Sequence, residues 1–177
     1  IKMMLIVTNT PAKSYLDEWR TGQTGEETGM DHRDHVRLLR DGIGSGQGVW
    51  ADIGAGWGAF TLALADLLDV DARIIAVDRD AGALEALRRA MQARFPQRAL
   101  EVMRADFTQP MALPSLDGIV MANALHFVRD KLPVLVRLRA YLRPGGRLIV
   151  VEYDTDRGNR WVPYPLTYPA WAALAER

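Results

Sequence analysis

From about residue 48 onward, apolar runs and polar breaks alternate along the chain. Residues 49–53 are apolar apart from Asp52, break at a glycine turn at 54–58, and lead into a helical pattern at 59–68. Residues 73–77 read as a buried strand ending at Asp78. Asp80 then supplies an N-cap for a long helix in which Leu84, Leu87, Ala90, Met91 and Phe95 recur at helical spacing. A short strand at 100–103 leads to Asp106, and 116–122 is a further apolar strand. Residues 132–142 place Leu135, Leu138 and Leu142 along one side of a helix. The Arg-Pro-Gly-Gly run at 143–146 stops that helix, and 147–151 is the fifth strand.

Before residue 48 the pattern is weaker. Residues 1–47 read as an N-terminal loop and helical segment, and 48–177 as the core. Asp31 can cap a helix whose apolar side carries Val36 and Leu39. The stretch at 21–29, rich in glycine and polar residues, predicts a loop, and 42–48 a second glycine-rich break. After the fifth strand, 159–169 is aromatic and carries three prolines, which forbid a central strand. Trp161, Tyr164 and Tyr168 there either pack against the sheet edge or wall a substrate.

Near-continuous apolar strands separated by helices predict a mostly parallel sheet with helices on both faces, in the doubly wound α/β arrangement. Such sheets bind ligands at the carboxyl ends of their strands. Asp52, Asp78, Asp106 and Asn123 all fall at such ends.

Composition narrows the chemistry. The 177 residues make one domain with room for a real core, at 49% hydrophobic and 25% charged. Lysine plus arginine equals aspartate plus glutamate at 22 each, which argues against a dedicated nucleic-acid binder. With no cysteine there is no thiolate metal site and no cysteine nucleophile. No signal peptide or membrane span is visible, so a soluble, cytoplasmic protein is expected, and Ile1 is not expected to be the translation start. His32 and His35 lie one helical turn apart beside Asp31 and Asp34, a spacing open to a metal, but a solvated helix start is the reading taken and no metal is expected.

The glycine turn is of the kind that receives a nucleotide-type cofactor, with the following helix pointing its N-terminus at the ligand. Gly54, Gly56 and Gly58, followed by Ala59, satisfy both a G-x-G-x-G and a dinucleotide G-x-G-x-x-A spacing. An acidic residue to take the ribose hydroxyls, here Asp78, suits either cofactor. Charge separates them. Asp52 would repel a pyrophosphate but suits the sulfonium and ammonium of S-adenosylmethionine, directly or by ordering the loop amides. The alternative is that Asp52 braces its own turn.

With these residues in hand, the chain resembles the class I S-adenosylmethionine-dependent methyltransferases over about 48–155. The run at 49–58 is similar to the family's first motif, 74–78 to its acidic second, 104–107 to its third, 117–127 to its fourth and 142–148 to the turn into the fifth strand. The resemblance implies a Rossmann-like methyltransferase fold binding S-adenosylmethionine. It implies that Gly54, Ala55 and Gly56 face the methionine moiety and Asp78 the ribose. Asp106 and Phe107 would take the adenine, Arg79 would lie beside the adenosine, and Asn123 would line the inner pocket near the methyl group. The family continues past its fifth strand with a helix and an antiparallel strand pair; here about 20 residues follow Asp154, so that C-terminal antiparallel edge is expected to be missing or truncated.

Methyl transfer from a sulfonium needs alignment above all, and a general base only where the acceptor must lose a proton. The missing cysteine excludes cytosine C5 and arsenite-type chemistry. No proline pair follows Asn123, as DNA amino-methylating enzymes carry, and a metal-assisted catechol site would want an acid at that position. A small-molecule acceptor is therefore expected, with protein and RNA targets open. His126 is either the general base or a packing residue. The competing functions are a nicotinamide-dependent oxidoreductase and a regulator or partner subunit that binds the cofactor without turnover.

Overall fold

The computed structural model of the chain describes residues 3–7 and 30–175. In chain order its elements are β1 (Met3–Val7), α1 (His32–Ile43), β2 (Val49–Ile53), α2 (Ala59–Leu67), β3 (Arg73–Asp78), α3 (Ala81–Arg94), β4 (Ala99–Arg104), β5 (Leu116–Ala122), a 3-10 turn (Leu125–Phe127), α4 (Leu132–Tyr141), β6 (Leu142–Tyr153) and α5 (Tyr168–Ala175). The loop expected at 21–29 lies outside the described residues.

The strands form one sheet in the order β1-β6-β5-β2-β3-β4. β6, β5, β2, β3 and β4 are mutually parallel and β1 runs antiparallel to β6. Side chains alternate between the sheet's two faces, and both faces are apolar. Trp50, Ile74, Val120 and Ile149 point to the face covered by α1, α2 and α3, where Leu39, Leu64 and Leu87 meet them. Ala51, Ile75, Ile119 and Val150 point to the opposite face, covered by Leu135 and Leu138 of α4 and Trp171 of α5. This is the doubly wound arrangement expected from the alternating pattern.

Helix starts follow local chemistry. The Asp31 carboxylate accepts from the Asp34 amide at 3.0 Å and Asp34 returns the bond to the Asp31 amide at 3.3 Å, a reciprocal capping box. Asp80 accepts from the amides of Gly82 (2.8 Å) and Ala83 (3.1 Å) at the start of α3. α2 has no side-chain cap; its N-cap is Gly58, at φ 89°.

Two features differ from the pattern's expectation. Residues 3–7, which carry no readable periodicity, form β1 and pair with β6 from Met3↔Tyr153 to Val7↔Ile149. β6 thus has an antiparallel neighbour drawn from the start of the chain, and among the described residues no strand follows it. β6 also begins earlier than expected. Leu142 pairs with Leu116, the register slips, and Arg147 pairs with Gly118, so residues 143–146 bulge out of the ladder. Asp117 pins this bulge, accepting from Arg143 Nε at 2.5 Å and from the Val49 amide at 2.7 Å.

The packing between β2 and β5 is tight. A Cβ at Gly118 would sit 2.2 Å from the ring of Trp50, which is buried and donates its indole N–H to the Gln47 carbonyl at 3.1 Å. The ring is held at both ends and has little room to yield. Gly118→Ala is therefore expected to destabilise the fold by about 3 kcal/mol, the upper end of overpacking costs. Urea unfolding checks this, and an unchanged midpoint would contradict the packing described.

Candidate functional site

The sheet changes winding direction between β2 and β5: β3 and β4 extend it to one side of β2, while β5 and β6 extend it to the other. The crevice beyond the carboxyl ends of β2 and β5 is where such sheets bind ligands, and the glycine turn lies in it. Its three glycines serve different ends. A Cβ at Gly54 (φ 75°) would lie 2.5 Å from Ala124 Cβ, across the crevice, and one at Gly58 (φ 89°) would lie 2.6 Å from Leu87 Cγ. Those two let backbone and neighbours close together. Gly56, at φ 51°, has nothing within 4 Å of its would-be Cβ, so its bare face looks onto open space.

The turn is held by the end of β3. Val77 O accepts from the amides of Gly54 (2.8 Å) and Ala55 (3.0 Å), and Ala55 O accepts from Gly58 N at 2.9 Å. Asp78 Oδ2 accepts from Gly56 N at 2.8 Å, while its Oδ1 accepts from Asp80 N at 2.9 Å. The amides of Gly54, Ala55, Gly56 and Gly58 are thus all bonded within the protein, which leaves a pyrophosphate no nest of free N–H groups among them. Each Asp78 oxygen carries two lone-pair sites and uses one, so both keep capacity for a vicinal diol.

Asp52 behaves differently from the expectation that it meets the ligand or orders the loop amides. Its carboxylate is buried and accepts from Thr61 Oγ1 of α2 at 2.6 Å; the carboxylate that orders the loop is Asp78. Burial pushes the Asp52 carboxyl up to about 7, the Thr61 hydroxyl opposing and the nearby Asp78 charge adding to the rise. Asp52 braces the start of α2 against β2.

The other predicted residues line the same end of the sheet. Phe107 Cε1 comes within 3.6 Å of a Cβ built on Gly54. Asp106 is exposed, and its Oδ1 accepts from the Thr108 hydroxyl (2.7 Å) and amide (2.9 Å). Those bonds, with a smaller push from the Arg79 charge, hold its carboxyl below the ordinary range. Arg79 is exposed at the turn after β3, and its carbonyl accepts from Arg104 Nε at 3.3 Å. Asn123 directly follows β5 at φ 51°, a left-handed conformation that asparagine tolerates better than most residues. Its Oδ1 is buried with no hydrogen-bond partner, an orphaned acceptor.

His126, in the 3-10 turn beyond Asn123, is buried. Its Nδ1 lies 2.7 Å from Glu152 Oε2, and its amide donates to Glu152 Oε1 at 3.1 Å. One carboxylate therefore fixes both the ring and the backbone of this residue. Lys131, also buried, donates its ammonium to the carbonyls of Val128 (2.9 Å) and Tyr164 (2.8 Å). Burial lowers the Lys131 ammonium and the Glu152 charge opposes that shift. The sequence reading assigned no role to Glu152 or Lys131. Glu152 carried a readable signal, a lone carboxylate closing an apolar strand, the same one that singled out Asp78. Lys131 carried none, because its acceptors are backbone carbonyls.

His32 and His35 do not converge. His32 pairs with Asp66, which Arg94 also reaches at 3.2 Å, and His35 packs edge-on against Phe60 at 4.7 Å. Among the described residues no group of three histidines, cysteines or carboxylates could hold a metal, and no helix is long and apolar enough to cross a membrane.

A family model described as a methyltransferase domain matches residues 51–148. An uncharacterized 37.1 kDa protein in transposon TN4556 of Streptomyces fradiae is 31% identical over 154 residues, covering 86% of this chain and 41% of that protein. Carboxy-S-adenosyl-L-methionine synthase of Photorhabdus laumondii is 33% identical over 104 residues, covering 57% of this chain and 41% of that protein. The chain thus spans about two fifths of these curated relatives. The fold is similar to that of coclaurine N-methyltransferase in complex with N-methylheliamine and SAH, with a TM-score of 0.62, 23% identity, and coverage of 72% of this chain and 38% of that one.

Asp52 links this site to stability. Its folded pKa of about 7 lies above the ordinary 3.8, so the native state keeps a proton that the unfolded chain has released. The stability that protonated Asp52 contributes is full below about pH 4 and lost as pH rises through 7. The whole difference is on the order of 4 kcal/mol. Asp52→Asn keeps an acceptor for Thr61 and carries no titrating group. Denaturant unfolding from pH 5 to 8 should show wild-type stability falling relative to the variant; parallel profiles would place the Asp52 pKa elsewhere.

Proposed function

The chain belongs to the methyltransferase-domain family, and from that membership and the site's geometry we propose that it binds S-adenosylmethionine and transfers the methyl group to a small-molecule acceptor. The observation that carries this reading is the glycine turn itself. Its amides are engaged within the protein, the bare face of Gly56 is open, and the Asp78 carboxylate stands against it with free lone pairs. That combination suits a ligand offering a ribose diol and positive charge, and offers little to a bridging phosphate. The similar N-methyltransferase fold was solved with S-adenosylhomocysteine, and one relative is named for a derivative of the same cofactor.

In this reading Gly54, Ala55 and Gly56 border the methionine moiety. Asp78 accepts the ribose hydroxyls, Asp106 and Phe107 take the adenine with Arg79 beside it, and the orphaned Asn123 Oδ1 accepts a donor near the reacting end. Asp52 acts from beneath, by fixing α2. The bound cofactor supplies a methyl group on a cationic sulfur that departs as a neutral thioether, so the protein has no leaving group to protonate. Its remaining work is to align the acceptor in a dry crevice and, for a protic acceptor, to take up one proton. His126 serves as that base. Glu152 accepts from Nδ1–H, which leaves the lone pair on Nε2; among the described residues no hydrogen-bond partner faces Nε2. Glu152 is a positioning residue that sets the tautomer.

Calorimetric titration with S-adenosylhomocysteine is expected to show binding. Asp78→Ala should weaken it by about 1–3 kcal/mol, through the unpaired diol and the released loop. Heat from NADH with none from S-adenosylhomocysteine would overturn the reading.

The tautomer can be read without any acceptor. Nitrogen-15 NMR of the histidine rings should show the proton of the neutral His126 imidazole on Nδ1, and Glu152→Gln should disturb that signal while leaving S-adenosylhomocysteine binding in place. A proton on Nε2 in the wild-type chain would rule His126 out as the base.

A further inference from the structure

We propose that the acceptor site is the surface formed by Phe127, Tyr164 and Arg129, rimmed by Trp161 and Arg160, and that it takes a flat aromatic molecule bearing a hydroxyl and a negatively charged group. The proposal rests on the methyl-transfer reading above and names the acceptor class for it.

Six large hydrophobic side chains stay exposed among the described residues: Trp57, Val70, Phe127, Val136, Trp161 and Tyr164. All the aromatic ones follow the carboxyl ends of β2, β5 or β6, the end at which the glycine turn lies. Exposed aromatic surface gathered at one end of a domain marks a binding surface more often than chance. Phe127 (58% exposed) packs its ring 4.3 Å from that of His126, and Tyr164 (40% exposed) donates its amide to the His126 carbonyl at 3.0 Å. Both therefore adjoin the assigned base, on the β5–β6 side of the crevice, away from the β2–β3 side that holds Asp78.

The segment that carries Tyr164 is fixed. Lys131 binds its carbonyl from below, and Val162 and Leu166, two residues to either side, are buried. Asn159 Oδ1 accepts from the amides of Trp161 (2.8 Å) and Val162 (2.9 Å), closing a turn that leaves Trp161 77% exposed. A segment anchored by its aliphatic residues while it presents its aromatic ones is a wall with its flat faces outward.

Charge then selects the ligand. The Arg129 guanidinium lies 6.0 Å over the Tyr164 ring and that of Arg160 lies 5.8 Å over the Trp161 ring. Among the described residues neither forms an ion pair, although Asp130 and Asp156 are close in sequence, and Asp154 accepts from the Tyr168 amide at 3.2 Å. A guanidinium stacked on an aromatic face keeps its N–H groups at its edge, free to grip a carboxylate or similar anion. The aromatic walls favour a planar partner in offset or edge-on contact. With its hydroxyl toward His126 Nε2, the acceptor oxygen bonds to the methyl carbon. The carbon–sulfur electron pair leaves with sulfur, and the hydroxyl proton passes to Nε2.

The test uses the chain saturated with S-adenosylhomocysteine, titrated at low salt with 4-hydroxybenzoate or with the neutral 4-hydroxybenzamide, followed by saturation-transfer NMR. The anion is expected to bind about tenfold tighter than the amide. The R129Q/R160Q double variant should erase that preference, and Phe127→Ala should weaken both ligands alike. All three side chains are exposed, so unchanged melting of the variants is expected and is checked alongside. Equal affinity for the two probes, or a preference that survives loss of both arginines, overturns the proposal. So does binding of S-adenosylhomocysteine with neither probe, an outcome that leaves the methyl-transfer reading intact. A chain that does not bind S-adenosylhomocysteine at all removes both.

Discussion

Everything at the binding end of this sheet depends on how the last two residues of β3 hold the turn that follows β2. Val77 gives its carbonyl to two successive amides and Asp78 gives its carboxylate to a third. The only large side chain of that turn, Trp57, is exposed and cannot fix it by packing, so its shape must come from hydrogen bonds. Parallel pairing of β2 with β3 delivers those acceptors at the right height, since Asp52 pairs with Ala76 and Ile53 with Val77. The open face at Gly56, the direction of α2 and the close contact of Gly54 with Ala124 all follow from that register.

Two buried carboxylates show how the same functional group near the end of a strand takes opposite roles. Asp52 and Glu152 both close apolar runs in central strands and both are hidden from water. Asp52 has one neutral hydroxyl donor, too little to offset the loss of hydration, and so its proton is retained to about pH 7. Glu152 has a backbone amide, an imidazole nitrogen and the field of a buried ammonium. The first is a strut that does best uncharged. The second has the partners that a working carboxylate needs.

How much of this the chain disclosed beforehand depended on the range of the interaction. Caps such as Asp31 and Asp80 act on amides two or three residues away and were readable at once. The alternation of strands and helices, and hence the doubly wound sheet, was readable because both faces are buried. The identity of β1 was not, since its partner strand lies some 140 residues away in sequence and nothing in Met3–Val7 announces the pairing. At the site, strand ends marked Asp78, Asp106 and Asn123, and the glycine spacing marked Gly56. Which carboxylate orders the loop was beyond reach. Asp52 precedes the first glycine by two residues and Asp78 follows Gly56 by 22, and only the fold makes the distant one the nearer.

The same reasoning bears on the division of labour across the crevice. The β2–β3 side is built from short-range backbone geometry, with glycines, turn amides and one carboxylate, and it leaves few side chains free to vary the ligand it receives. The β5–β6 side is built from side chains on a 3-10 turn and an irregular segment, tied together by Lys131 and Glu152. Replacing Phe127 or Trp161 there disturbs no strand ladder, whereas any residue but glycine at 54 meets Ala124. A ligand common to many proteins belongs where the backbone dictates the shape. A ligand particular to one belongs where exposed side chains can change without cost to the fold, and in this molecule those side chains are aromatic and cationic.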